Sequence, residues 1–269
     1  MRVAYQGVPG AYSEVALSRS FGDAVEPVPE PWFDEIFDAV EFGRADLGFV
    51  PVENTIEGSI TRTYDLLNTR SLTVKGETIY RVVHCLLANP GVGLREIRRV
   101  YSHPQALGQT RAYLSAHGYE AVNFFDTAGA AKMLHDEGLR DAGAVASRRA
   151  AELYGLNVLA EGIETDAANY TRFLHVGHGD EPWTGRDKTS VAFTVDNKRG
   201  ALTSALNVLG GVKITKLETR PLVGRPFEYT YFVDFEGHRD DPDASHTLAE
   251  MGRLCATLRV LGSYPRAQI

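Results

Sequence analysis

"YTRFLHVGHGDEPWTGRDKTSVAFTV", residues 170–195, marks a change of architecture. Its opening, Tyr170 to Val176, is an apolar run of strand length. Its middle, Gly177 to Asp187, mixes Gly, Pro and acidic residues without periodicity, the composition of a linker. From Thr189 to Val195 apolar and polar residues alternate, the pattern of a strand with one buried face.

Downstream the new pattern continues. Ala201, Leu202, Ala205, Leu206 and Leu209 share one helix face. "VKITKLETRP" and "FEYTYFVDFEG" alternate as strands. "TLAEMGRLCATL" gives a second helix with Leu248, Met251, Leu254, Cys255 and Leu258 inward, and "RVLGSYP" reads as a last strand. The order βαββαβ over 188–269 is the ferredoxin-like motif. Upstream the rhythm is different. "RVAYQ", "ADLGFV", "RVVHCLLA", "RRVYS", "AVNFF" and "AGAVAS" read as strands, separated by helical patterns such as Phe33, Ile36, Phe37 and Val40 with Gly43 at the helix end. Alternating strands and helices predict a parallel α/β sheet. A turn cluster near residue 90 divides this part into one lobe of about 1–80 plus 165–177 and another of about 81–164.

The chain has 269 residues and a net charge of −7, with no long Lys/Arg run. This excludes a nucleic-acid or anionic-membrane partner as the expected reading, so any bound anion must be held by local groups. Cys85 and Cys255 are far apart and read as core residues of a reducing compartment. The eight histidines are scattered without ligand spacing, so neither metal nor cofactor is expected. The N-terminus reads as a strand and no run reaches membrane-spanning length, which predicts a cytoplasmic protein.

Small polar residues stand where helices should follow strands: Ser13 after "GVPG", Asn54 in "VPVENTIEGS", Ser102 in "SHPQAL", Asp126 or Thr127, and Ser147. Each is a sufficient N-cap by itself. Together they predict helix N-termini gathered on one sheet edge, with their dipoles facing a dianionic small molecule. "GVPG" lacks the spacing of a dinucleotide loop, and no P-loop or G-x-S-x-G motif occurs.

"GVPGAYSEVA", "VPVENTIEGSITRTYDLL", "SHPQALGQT" and "NYTRFLHV", with the trailing "GALTSAL" and "ETRP", closely resemble prephenate dehydratase followed by an ACT regulatory domain. The resemblance covers nearly the whole chain. It implies a two-lobed, periplasmic-binding-protein-like catalytic domain over 1–177, a linker at 178–187 and an ACT domain over 188–269. It implies decarboxylating dehydration of prephenate to phenylpyruvate on the route to phenylalanine. No chorismate mutase-like segment precedes Met1, as expected for the monofunctional type.

That reaction needs an anion clamp, a donor at the leaving hydroxyl and an apolar setting for the departing carboxylate. By resemblance Thr171 is the catalytic residue at that hydroxyl, with Glu53 or His103 as the group behind it. Ser13, Asn54, Ser102, Gln105 and Thr127 face the substrate. Arg172 suits a carboxylate and Phe173 a ring, but an ion pair and a core residue are equally good readings of those two. The resemblance also implies a phenylalanine effector held by Asn197, Gly200, Ala201, Leu202 and the Glu218, Thr219, Arg220, Pro221 run, and a homodimer or homotetramer. Two positions depart from the family: Arg199 stands where Pro is usual, and Thr219 where Ser is usual. The competing readings are an arogenate dehydratase and a non-catalytic two-lobed binding module. Removal of 188–269 is expected to leave an active, effector-insensitive catalytic domain.

Overall fold

In the computed structural model, residues 1–267 are described. Along the chain the elements are β1 (Arg2–Gln6), α1 (Tyr12–Phe21), β2 (Glu26–Glu30), α2 (Phe33–Glu41), β3 (Leu47–Asn54), β4 (Gly58–Ser59), α3 (Thr61–Thr69) and β5 (Thr73–Arg81). Then come β6 (Cys85–Ala88), β7 (Arg99–Ser102), α4 (Pro104–Gln109), α5 (Arg111–Ala116), β8 (Glu120–Asn123), α6 (Thr127–Asp136), β9 (Ala142–Ala146), α7 (Arg148–Tyr154) and β10 (Asn157–Glu161). The last set is β11 (Tyr170–Gly177), β12 (Asp187–Thr194), α8 (Ala201–Val208), β13 (Ile214–Pro221), β14 (Tyr229–Glu236), α9 (Pro242–Leu254) and β15 (Thr257–Pro265). The chain divides into two compact, discontinuous units: Met1–Ile36 with Glu53–Gly58 and Tyr80–Thr171, and Phe37–Val52 with Ser59–Ile79 and Arg172–Ile269.

In the first unit β1 and β2 pair in parallel, Ala4 opposite Val28. Strand β2, "EPVPE", carries two prolines, each lacking a ladder donor, so it suits a sheet edge. The second sheet runs β10-β6-β9-β7-β8. It is not all parallel as the sequence pattern predicts: β6 runs antiparallel to both β9 and β10. Strand β6 follows β5 after the short stretch Val82–His84, and β5 belongs to a different sheet. The apolar run "RVVHCLLA" is thereby split between the end of β5 and β6. Strand β9, "AGAVA", is buried on both faces. Ala144 and Ala146 meet the alanines of α6 and α7, while Val145 packs with Leu86, Val100 and Leu107 on the other side. Small side chains on strand and helix let these elements approach closely.

Three predicted caps are corrected. Helix α1 starts at Tyr12, so Ser13 lies within its first turn. Helix α4 is capped by His103, whose Nδ1 accepts from the Gln105 amide at 3.3 Å, while Ser102 is wholly buried and donates to the Val145 carbonyl at 2.6 Å. The helix after "VENT" begins at Thr61, beyond β4, so Asn54 caps no helix. Asp126 and Ser147 do cap α6 and α7.

In the second unit Phe49 of β3 stacks on Phe173 of β11 with ring centres 4.6 Å apart. Residues from Asp187 onward form the βαββαβ array with antiparallel strand order β13-β14-β12-β15. Val191, Phe193, Val233 and Phe235 meet Ala205, Leu209 and Met251 of the helices. Helix α9 stops at Leu254, so Leu258 reaches that core from β15 and not from the helix. The opposite sheet face packs on α3 and β5. Arg220 pairs with both Asp65 carboxylate oxygens at 2.9 and 3.0 Å, and Arg259 donates to the Asn68 carbonyl at 2.7 Å. A Cβ at Gly262 would collide with the Val74 backbone. The Gly/Pro stretch 177–187 is pinned as well. Asp187 accepts from the Thr184 and Gly185 amides, both at 2.9 Å, and Lys75 meets Glu181 at 2.7 Å. Asp187 is a local partner, but Lys75 comes from β5, more than a hundred residues earlier, and composition alone could not reveal it.

His175 of β11 lies against Gly76, where a Cβ would sit 2.7 Å from its Nδ1, and its Nε2 meets Thr78 Oγ1 at 2.9 Å. Burial lowers its pKa to about 4, against weak opposition from Glu77. The unfolded chain binds this proton near pH 6.5 and the native chain near 4, so stability falls as pH drops through that window, by at most about 3 kcal/mol. Urea unfolding at pH 7 and pH 4.5 checks this: His175→Gln should lose the part of the wild-type decline that belongs to this group.

Candidate active site

The first unit builds a continuous polar chain out of five side chains and ends it on Thr171. Asn54 begins it. Its Oδ1 accepts from the Ile56 and Glu57 amides at 2.9 and 3.0 Å, an Asx turn that fixes which way the amide faces. Its Nδ2 therefore points at Asn169 Oδ1, 2.7 Å away, and at Thr171 Oγ1, 3.0 Å away. Asn169 is wholly buried and donates to Gln109 Oε1 at 2.8 Å. Gln109 Oε1 also lies 2.7 Å from His84 Nε2, and Gln109 Nε2 donates to Glu57 at 3.2 Å. His84 Nδ1 lies 2.7 Å from the Tyr12 hydroxyl. Thr55 ties the turn to the strand, donating to the Ala168 carbonyl at 2.6 Å and accepting from the Tyr170 amide at 2.9 Å.

This geometry makes Thr171 Oγ1 an acceptor from Asn54, which leaves its own proton to be given onward. That is a site for stabilising a departing oxygen by hydrogen bonding, built from neutral groups. Burial holds the Tyr12 hydroxyl well above its ordinary pKa, and burial holds His84 below its own, against smaller opposing effects from Gln109 and Glu164. Both remain uncharged at neutral pH. A pocket of about 510 Å³ beside this chain is lined by Ile56, Gln109, Arg111 and Thr165 among others.

Of the predicted site residues, Thr171 and Asn54 come together. Glu53 is half-buried beside Asn54 at the end of β3. Gln105 exposes its side chain on α4, Thr127 begins α6, and Ser13, Ser102 and His103 serve as described above. Arg172 faces the opposite way from Thr171, as neighbours in a strand must. It is buried in the second unit, with Nε 2.7 Å from Glu77, Nη1 2.6 Å from Asp234 and Nη2 3.1 Å from the Tyr264 hydroxyl. Of the two readings of Arg172, the geometry gives the ion pair, and Phe173 is core. Tyr12, Glu57, His84, Gln109 and Asn169 were missed. A histidine inside the apolar run "RVVHCLLA" was the available signal, since a buried imidazole needs partners.

The second unit holds a smaller pocket, about 170 Å³, lined by Asp196, Asn197, Leu202, Phe227, Tyr229 and Tyr231 among others. Gly200 stands at the start of α8 with φ 84°, a conformation that glycine adopts without strain. Of the predicted effector residues Asn197 and Leu202 line the pocket, and Ala201 is buried at the first position of α8. Glu218 bonds Ser59 and lies 3.6 Å from Lys216, while Arg220 is engaged by Asp65. Thr219 and Pro221 are exposed on β13.

Fold and site define an α/β protein with a neutral amide-and-hydroxyl centre and a C-terminal ferredoxin-like array. The chain belongs to the prephenate dehydratase family, a family of dehydratases: the family profile described as prephenate dehydratase matches residues 3–181. The chloroplastic arogenate dehydratase/prephenate dehydratase 2 of Arabidopsis thaliana is 45% identical over 278 residues, covering 98% of this chain and 73% of the relative. A solved structure described as GqqA, a novel type of quorum-quenching acylase, superposes with a TM-score of 0.92 at 37% identity, covering 99% and 98% of the two chains. The prephenate dehydratase of Arthrobacter aurescens in complex with L-Phe superposes with a TM-score of 0.91 at 31% identity, covering 99% and 90%. Among the described residues no helix is long and apolar enough to cross a membrane, and no group of three or more His, Cys, Asp and Glu is placed to hold a metal ion.

The two amide residues separate site from surface. Asn54→Ala removes the Asx turn and the donor to Thr171, so kcat should fall about tenfold or more, with stability lowered by about 1–2 kcal/mol. Gln105→Ala should leave both within the range of an ordinary surface change, about 0.5 kcal/mol in stability. Steady-state kinetics and thermal melting of the two variants check this.

Proposed function

We propose that this protein converts prephenate to phenylpyruvate, as a carbon–oxygen lyase on the route to phenylalanine. The observation that carries the reading is the hydrogen bond from Asn54 Nδ2 to Thr171 Oγ1, which directs the threonine proton outward. Prephenate dianion takes up one proton and yields phenylpyruvate, water and carbon dioxide. Thr171 donates to the leaving hydroxyl as the ring carboxylate departs and its electrons complete the aromatic ring. A threonine is too weak an acid to ionise, so Glu53 is the candidate relay for the proton that the leaving water carries away. Desolvation and positioning supply the larger share of the acceleration. Arg111, which lines the larger pocket beside Gln109, offers a carboxylate its guanidinium, a role from which Arg172 is withdrawn.

In this proposal residues 1–177 are the catalytic domain, 178–187 the connection and 188–269 an ACT domain that senses phenylalanine and pairs with a second copy in a homodimer or homotetramer. The pocket beside α8 supports it: Tyr229 and Tyr231 offer ring contacts, and Asp196 offers a partner for an ammonium group. So does the L-Phe complex of the Arthrobacter relative.

Two neighbours motivate alternatives. The Arabidopsis relative carries arogenate in its name, and arogenate differs only in an amino group in place of the keto group. GqqA is described as an acylase. A threonine oxygen that accepts from an amide is a poorer nucleophile, which favours the donor role. The test incubates the protein with prephenate, with arogenate and with an N-acyl amide, each with and without phenylalanine. Fastest release of phenylpyruvate from prephenate, lowered by phenylalanine, is the expected outcome. Faster turnover of arogenate or of the amide overturns the substrate assignment, and rates indifferent to phenylalanine overturn the sensor.

A further inference from the structure

We propose that His84, oriented by Tyr12, is a positioning residue that sets the hydrogen-bond polarity of the chain ending on Thr171. The inference rests on the dehydratase reading for its kinetic arm and on geometry alone for the rest.

Each member of the chain can face two ways, and only one arrangement serves Thr171. At one end the Asx turn forces Asn54 to present its NH₂ group to Asn169 and Thr171. Asn169 must then accept with Oδ1 and donate with Nδ2, and Gln109 must receive that bond on Oε1. A carbonyl oxygen only accepts, so the ring nitrogen 2.7 Å from Gln109 Oε1 must be a donor: His84 carries its proton on Nε2. Its Nδ1 is then the acceptor, and the Tyr12 hydroxyl at 2.7 Å supplies the proton. Tyr12 also meets the imidazole edge-on, with ring centres 5.3 Å apart, and Glu164 accepts from the His84 backbone amide at 3.0 Å. Ring and backbone are both held.

Gln109 has a second orienting partner in Glu57, but that contact is exposed, whereas His84 is 2% exposed. The buried bond acts in the lower dielectric and dominates the choice of amide face. Without a donor at position 84, Gln109 can turn. Its NH₂ group would then confront that of Asn169, and the conflict passes to Asn54, which the Asx turn does not allow to reverse. Thr171 loses its donor or its placement.

Three variants and one spectroscopic measurement test this. His84→Leu removes the donor; His84→Gln restores an N–H at similar reach; Tyr12→Phe removes the hydroxyl that selects the tautomer. With whichever of prephenate and arogenate the wild type turns over, His84→Leu should lower kcat about tenfold or more, the rate equivalent of one lost buried hydrogen bond, with KM changed by less than about threefold. His84→Gln should recover most of kcat at an equal or lower melting temperature. Tyr12→Phe should fall between. A kcat for His84→Leu within about threefold of wild type overturns the proposal. So does equal loss in the Leu and Gln variants, which would assign His84 to packing. Nitrogen-15 NMR of the wild type decides the point even if neither substrate reacts: the His84 ring should be neutral with its proton on Nε2, and the Asn54 side-chain amide resonances should shift or double in His84→Leu. A proton on Nδ1 in the wild type, or unmoved Asn54 resonances in the variant, overturns it.

Discussion

Thr171→Ala is expected to lower kcat by about 10²- to 10³-fold, the range measured when a preorganised donor to a developing oxyanion is removed. The fold should survive, because Thr171 is only partly buried. Thr171→Ser keeps the hydroxyl and loses the methyl group that restricts its rotation, so it should retain kcat within about tenfold. Thr171→Val keeps the shape without the oxygen and should fall as far as the alanine variant. It also leaves one Asn54 N–H without its acceptor, at a stability cost of about 1 kcal/mol. Rates for the three variants under saturating substrate separate hydroxyl from shape. An alanine variant near the wild-type rate removes Thr171 from the chemistry.

The largest stability effect is expected next door. Arg172, Lys188, Glu77 and Asp234 form a buried, charge-balanced cluster, with the Glu77 side chain wholly inaccessible. Ser190 donates to Asp234 at 2.5 Å, and the Ala267 amide to Glu77 at 2.9 Å. Arg172→Met takes the arginine from two buried carboxylates, leaving Glu77 with Lys188 and Asp234 with Ser190. Breaking such a pair from one side costs about 3–5 kcal/mol. A quadruple change, Arg172→Met and Lys188→Met with Glu77→Leu and Asp234→Leu, should recover part of that loss, since no charge of the cluster is then left uncompensated.

The pH dependence of the single variant gives a second check. Burial raises the Glu77 pKa, but Arg172, Lys188 and the Ala267 amide outweigh it and leave a net lowering. A carboxyl with a depressed native pKa contributes stability above its unfolded value, and that contribution is lost as pH falls through the native pKa. The melting-temperature gap between wild type and Arg172→Met should therefore be widest near neutrality and close below about pH 4. A gap independent of pH would assign the effect to packing.

The same cluster changes the outlook for removing residues 188–269. That truncation takes away Lys188, Asp234 and Tyr264, the partners of Arg172 and Glu77, and uncovers the β5 backbone on which Gly262 rests. It would damage the strand that carries Thr171, so loss of activity on truncation would not separate sensor from catalyst. Point changes at the pocket beside α8 make the cleaner comparison.

Residue order alone determined the element types over most of the chain, the change of architecture after Gly177 and the pair Asn54 and Thr171. Periodicity reports which face of an element is apolar, and the "NYTRF" and "VENT" motifs are local strings that resemblance can match. What residue order left open was which partner each polar group would take. "TRF" placed a hydroxyl and a guanidinium side by side, and only the packed sheet assigned the first to Asn54 and the second to Glu77 and Asp234. In "SHPQALGQT" the sequence pattern points to Gln105, whereas the fold exposes Gln105 and sets Gln109 against His84 and Asn169. Asn54 and Asn169 stand 115 residues apart. A hydrogen bond of that span leaves no periodic trace, because it is chosen by the tertiary contact that removes both groups from water and requires each to find a partner.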